Sequence, residues 1–181
     1  MTNTNVMQKD QLATLLKNSH AEFFGLLESL NDEDFYYAPV GKWSAAQQLD
    51  HIARSVSPVN MAMGLPKFIL KWKFGVANRS SKTYEGLTEK YTRKLQEGGK
   101  ASGRFVPPPV SADQKEKLLS QLDTVVNKLC NKTGKHSEEA LDKYILPHPL
   151  LGKLTLREML YFTAYHVQHH KELVEKGLAG R

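Results

Sequence analysis

The sequence predicts an all-α protein: an up-and-down four-helix bundle with an irregular, partly helical insertion between its second and third helices. Three observations carry the prediction. Apolar residues recur at three- and four-residue spacing in four separate segments, the period of a single helix face. Three segments open on a Ser or Thr followed three residues later by Gln or Glu, the pattern of a capping box. No run alternates apolar and polar residues for long enough to build a sheet. With 181 residues, 40% of them hydrophobic, the chain suffices for one ordinary core, so residues 1–181 are read as a single domain.

The first helix is placed at Gln8 to Leu30, where Leu12, Leu15, Leu16, Phe23, Leu26, Leu27 and Leu30 form one stripe. Asn31 to Lys42 carries Asp32, Asp34, Pro39 and Gly41, turn-forming residues, with Phe35, Tyr36 and Tyr37 to pin the loop to the bundle. Ser44 with Gln47 opens the second helix, Leu49, Ile52, Ala53 and Val56 mark its inner face, and Pro58 is expected to end or bend it. The segment from about Lys67 to Arg104 is the insertion, with a short helix expected over Tyr84 to Gln96 before Gly98 and Gly99. Pro107 to Pro109 make a stiff linker, and Ser111 with Gln114 opens the third helix, which carries Leu118, Leu119, Leu122, Val125, Val126 and Leu129 and stops near Gly134. Thr155 with Glu158 opens the last, which is expected to reach about Lys176.

The composition narrows the function classes. No apolar run approaches the roughly 20 residues that cross a bilayer, and Met1 to Asp10 is polar without an apolar leader core, so a cytoplasmic protein is expected. The lone Cys130 cannot close an intrachain disulfide and is read as a packed thiol. The formal charge of +6 is unevenly spread: Lys67 to Arg104 holds ten Lys or Arg against Glu85, Glu89 and Glu97, so the insertion carries the whole excess. A basic segment with Phe68, Trp72 and Phe74 is read as a lid or partner surface. Nucleic-acid binding is disfavoured because no recognised DNA-binding motif accompanies it.

The chemistry-bearing residues are histidines. The last helix's inner stripe reads Leu156, Met159, Leu160, Thr163, His166, Val167, His170, Leu173 and Val174. His166 and His170 are one turn apart, so their imidazoles converge on one side, and two buried imidazoles in an apolar stripe are costly unless their polar atoms are used. A metal ion uses them. A stable site needs a third ligand from a facing helix, and His51, beside Leu49 and Ile52, is the candidate; a solvated His51 bonded to Gln47 is the other reading. His20, His136 and His169 are read as structural or solvated, while His148, between Pro147 and Pro149, is placed at a pocket wall. Gln47, His148 and Tyr165 are candidate surrounding residues.

Trp43-Ser44, then Leu49-Asp50-His51-Ile52, then the run Pro149 to Thr155, and finally His166-x-x-x-His170 resemble the DinB/YfiT-like family in order and spacing, from about Leu12 to Gly177. The resemblance implies a four-helix bundle holding one divalent metal ion (Zn, Ni, Fe or Mn) through one histidine of the second helix and two of the last. Carried onto this chain, those are His51, His166 and His170. It further implies a small-molecule substrate, with either metal-dependent hydrolysis or transfer to a low-molecular-weight thiol such as bacillithiol or mycothiol as the reaction, a homodimer, and a stress-response setting. Where family members often read Arg-Gly-Gln after the last ligand, this chain has Lys171-Glu172-Leu173, which removes any substrate inference from that turn. No Asp or Glu shares the ligand stripe, so the sequence names no general base, and a metal-containing bundle that binds without turnover is the rival reading.

Overall fold

A computed structural model describes residues 6–181; the sequence reading for residues 1–5 lies outside them. Four long helices build the bundle: α1 (Lys9–Ser29), α3 (Ala45–Met63), α6 (Lys115–Lys135) and α8 (Leu156–Ala179). Between them lie α2 (Asp32–Tyr36), α4 (Lys67–Phe74), α5 (Tyr84–Gln96), α7 (Glu138–Lys143) and two strands, β1 (Ile145–His148) and β2 (Gly152–Thr155). The core is a single cluster in which Leu12, Leu16, Phe23 and Leu27 of α1 meet Leu49, Ile52 and Val56 of α3, Leu122, Val126 and Leu129 of α6, and Leu160 and Val167 of α8. Each such side chain contributes about 1.5–3 kcal/mol by leaving water, so the stripes read from spacing are also what holds the helices together.

The helix starts follow their caps. Ser44 accepts from the Gln47 amide at 3.2 Å while the Gln47 side chain accepts from the Ser44 amide at 3.1 Å, and Thr155 with Glu158 repeats the pattern at 3.1 and 2.9 Å. Ser111 and Gln114 also form a capping box, but it closes a 3-10 turn over Ala112–Gln114 that precedes α6. Pro58 does not end α3, which runs on to Met63. The lost backbone bond costs about 3 kcal/mol, which burial of Val59, Ala62 and Met63 in the following turn can offset.

The four-helix bundle forms as expected, with a refinement in helix direction. Met7 and Tyr161, then Glu22 and Lys171, put α1 and α8 side by side in the same sense. At one end of α3 and α6, Lys132 donates to the Asn60 carbonyl at 2.6 Å and His136 to that of Met63 at 3.0 Å. At the other end, Tyr36 reaches Ala112 and Lys115 reaches Asp32, so α6 starts where α3 starts. Successive long helices therefore run up, down, down, up. The insertion, together with the linker after it, is long enough to return the chain along the bundle, which strict alternation does not need.

The insertion is partly helical as expected, through α4 and α5, and it is anchored. Ala77 donates to the Lys143 carbonyl at 2.8 Å, and Arg79 grips the buried Glu158 with two bonds of 2.6 and 2.9 Å. The antiparallel β1–β2 hairpin has no counterpart in the sequence reading; it pairs Leu146 with Leu154 and His148 with Gly152, whose φ of 77° suits the turn. Its two prolines, Pro147 and Pro149, are tolerated because the ribbon is all edge. No helix among the described residues is long and apolar enough to cross a membrane.

Candidate metal centre

His51 on α3 and His166 and His170 on α8 meet inside the bundle, 4–6% exposed. Their ligand-capable nitrogens lie within 4.8 Å of one another. His166 Nε2 is 3.2 Å from His51 Nε2 and 3.0 Å from His170 Nε2. The i, i+4 spacing on α8 explains the second contact, and the antiparallel packing of α3 on α8 explains the first.

The other nitrogens fix the tautomers. His51 Nδ1–H donates to the Phe105 carbonyl at 2.6 Å, and His170 Nδ1–H donates to Gln48 Oε1. Both Nε2 atoms are then bare lone pairs aimed at His166 Nε2, which can donate a proton to one of them at most. At least one close approach is lone pair against lone pair, and a cation at the centre resolves it. Metal–nitrogen bonds of about 2.0–2.1 Å at tetrahedral angles place ligand nitrogens roughly 3.3 Å apart, close to the two distances that His166 makes. Burial lowers the pKa of His166 and His170 well below the ordinary histidine value, with the neighbouring histidines pushing the same way. His51 is lowered by burial, against a smaller opposing pull from the Phe105 carbonyl. Neutral imidazoles are the form that ligates.

The rings are walled by aromatics. Trp43 stacks on His170 with centroids 6.3 Å apart and tilts over His51 at 5.0 Å; Phe162 stacks on His166 at 4.7 Å; and Tyr91, from α5, meets His166 edge-on at 6.1 Å. Through Tyr91 the insertion packs against the centre without supplying a ligand, while Phe68 and Trp72 of α4 are exposed. Among the described residues the histidine cluster includes no carboxylate.

The structure brings the three expected ligands together and redistributes the rest. Gln47 is committed to its cap, and the glutamine that supports the cluster is its neighbour Gln48. Tyr165 faces Tyr84, Tyr91 and Thr92. His148 lies against Phe162 at 4.2 Å, its Nδ1 accepting the Leu150 and Leu151 amides at 3.1 Å, so its proton sits on Nε2; burial, with Lys90 nearby, pushes its pKa down to about 4. His136, expected in a polar turn, is buried. His20 is buried with Nδ1–H on the Leu16 carbonyl and Nε2 without a partner among the described residues. Trp43 entered the sequence reading only as a motif residue, and Gln48 and Phe105 not at all. Gln47 and Gln48 both precede His51 by about one turn, so the sequence signalled a glutamine there without showing which of the two.

No individually curated protein matches the chain in sequence. Among solved structures, TT2238, described as a four-helix bundle protein, superposes with a TM-score of 0.59 over 93% of this chain and 99% of its own at 16% identity, a likeness of fold alone. The model of the DinB superfamily matches residues 15–174, nearly the whole bundle with all three histidines inside it, and the chain belongs to the DinB superfamily.

Proposed function

We propose that the protein is a metal-dependent enzyme acting on a small molecule, with a divalent ion held by His51, His166 and His170 and either hydrolysis or transfer to a low-molecular-weight thiol as its reaction. The observation that supports this most is the convergence of three Nε2 atoms, two of them stripped of their protons by Phe105 and Gln48. Three neutral ligands leave an ion its full charge and open positions, so that when bound it would supply Lewis acidity and lower the pKa of a water or thiol. The chain's own residues do the rest: Gln48 and Phe105 orient the ligands, and Trp43, Phe162 and Tyr91 keep bulk water from them. A homodimer belongs to the same reading, by family likeness, and a cytoplasmic setting by composition.

One observation favours a second reading, a metal-containing bundle that binds without turnover: no carboxylate stands in the cluster to accept a proton. Two measurements separate the readings. Zn or Ni titration at pH 7.5 should show large losses of affinity for His51→Ala, His166→Ala and His170→Ala and almost none for His20→Ala, His136→Ala and His169→Ala; parental affinity in His51→Ala would remove the cross-helix ligand and the proposal with it. Chelator-sensitive turnover of small esters, or of a thiol with an electrophile, would then favour the enzyme over the binder.

A further inference from the structure

A second feature lies apart from the histidines. A cavity of about 400 Å³ opens between α5 and the β1–β2 hairpin, lined by Arg79, Lys82, Lys90, Arg93 and Lys153 with Glu89 as the one acid. None of the aromatic residues walling the histidines lines it.

Two of the five cations are held in place. Arg79 is clamped to Glu158, which also accepts the Lys82 amide at 2.8 Å, and Lys90 Nζ donates to the Leu151 carbonyl at 2.7 Å, a neutral partner that leaves its charge uncompensated. Lys82, Arg93 and Lys153 enter no ion pair among the described residues. Lys90 is lowered from the ordinary lysine value by burial first and then by Lys82 and Arg79, which is the repulsion expected of crowded like charges. Side chains this long could splay into solvent, but anchoring of Arg79 and Lys90 keeps the positive field focused in a concavity. Gly86, in the first turn of α5, lines the cavity without a side chain, its own N–H donating to the Thr83 cap at 3.1 Å.

We propose that this cavity binds the phosphoryl group or groups of a small phosphorylated molecule, at a site separate from the three-histidine centre. With Arg79 compensated by Glu158, the remaining Lys82, Lys90, Arg93 and Lys153 still outnumber Glu89 by more than a single carboxylate neutralises, which suits a multiply charged anion with Arg93 and the lysines as charge-assisted donors. The volume falls in the range of small-molecule pockets. A nucleic-acid strand fits less well, because no aromatic face lines the cavity to stack a base.

Calorimetric titration of the full chain with sodium pyrophosphate at fixed ionic strength tests this. Saturable one-site binding is expected, weakened at least about tenfold by Arg93→Met with Lys153→Met, both exposed, and likewise by Lys82→Met. Lys67→Met with Lys71→Met, which removes the same charge from α4, should leave it unchanged, as should His166→Ala, which disables the histidine centre. Absence of saturable binding, or equal weakening by the α4 pair, overturns the proposal in favour of a diffuse cationic surface. Loss of binding in His166→Ala overturns it in favour of anion capture by a metal. A single-stranded oligonucleotide that binds where pyrophosphate does not saturate, and is weakened by both double variants, overturns it in favour of a nucleic-acid surface.

Discussion

Replacing Gln48 tests the support of the centre without touching a ligand. Gln48 is 4% exposed, and its Oε1 takes the Nδ1 proton of His170, which is 5% exposed. In Gln48→Leu that N–H is buried without an acceptor, a cost of about 1–3 kcal/mol, and His170 is free to move the proton to Nε2, where it blocks ligation. Supporting bonds of this kind are worth roughly 10- to 100-fold in metal affinity, so Gln48→Leu should bind Zn or Ni weaker by that factor while keeping its helical circular dichroism. Gln48→Glu keeps the acceptor, adds charge, and should recover or exceed parental affinity. Competition against a chromophoric chelator at pH 7.5 gives both constants. Parental affinity in Gln48→Leu would show that His170 needs no partner to present Nε2, and the tautomer argument would fall.

Other outcomes follow from the same structure. Chelation should lower the melting temperature without unfolding the protein at room temperature, since the core is built without the ligands; loss of helical circular dichroism in chelator would make the centre structural. His20, 1% exposed, has its pKa lowered by burial to about 4, so it stays neutral in the fold while the unfolded chain takes up its proton below 6.5. Its contribution is therefore intact above pH 6.5 and is lost as pH falls toward 4, by about 2 kcal/mol at pH 5 and about 3 at pH 4. Urea denaturation of the parent against His20→Leu isolates that slope, and equal slopes would refute it. Arg157, 1% exposed, holds Asp142 at 2.6 Å and Glu138 at 2.7 Å and also reaches the Met7 carbonyl. Arg157→Met should destabilise by about 3 kcal/mol in the same assay, and a change below about 1 would mean that the two carboxylates, more than a third exposed, are satisfied by water.

What the sequence revealed is what one helix can encode by itself. The capping boxes at Ser44 and Thr155, the apolar stripes and the His166–His170 pair are local patterns, and each reappears in the fold. The choice between Gln47 and Gln48 is not local: adjacent residues differ by about 100° around a helix, and only the docked α8 shows which amide meets a ligand. Pro58 does not stop α3 because a breaking propensity of about 3 kcal/mol is judged alone in a sequence, whereas in the bundle the next turn is buried. The hairpin was hidden by Pro147 and Pro149, and the shared direction of α3 and α6 depends on the path of an insertion that leaves no periodic signature.

His51 and His166 stand 115 residues apart along the chain, yet touch. Their meeting closes a long loop, and loop closure of that length is a slow step that pays back only once the surrounding surfaces are in place. On a ribosome, α1 to α6 can be made and begin to collapse while the centre is still a single histidine; the other two arrive together on α8. Under the proposed metal reading, capture would be timed to the end of folding: a nascent or half-formed bundle offers an ion one imidazole rather than three, and loading would serve as a readout of the finished protein.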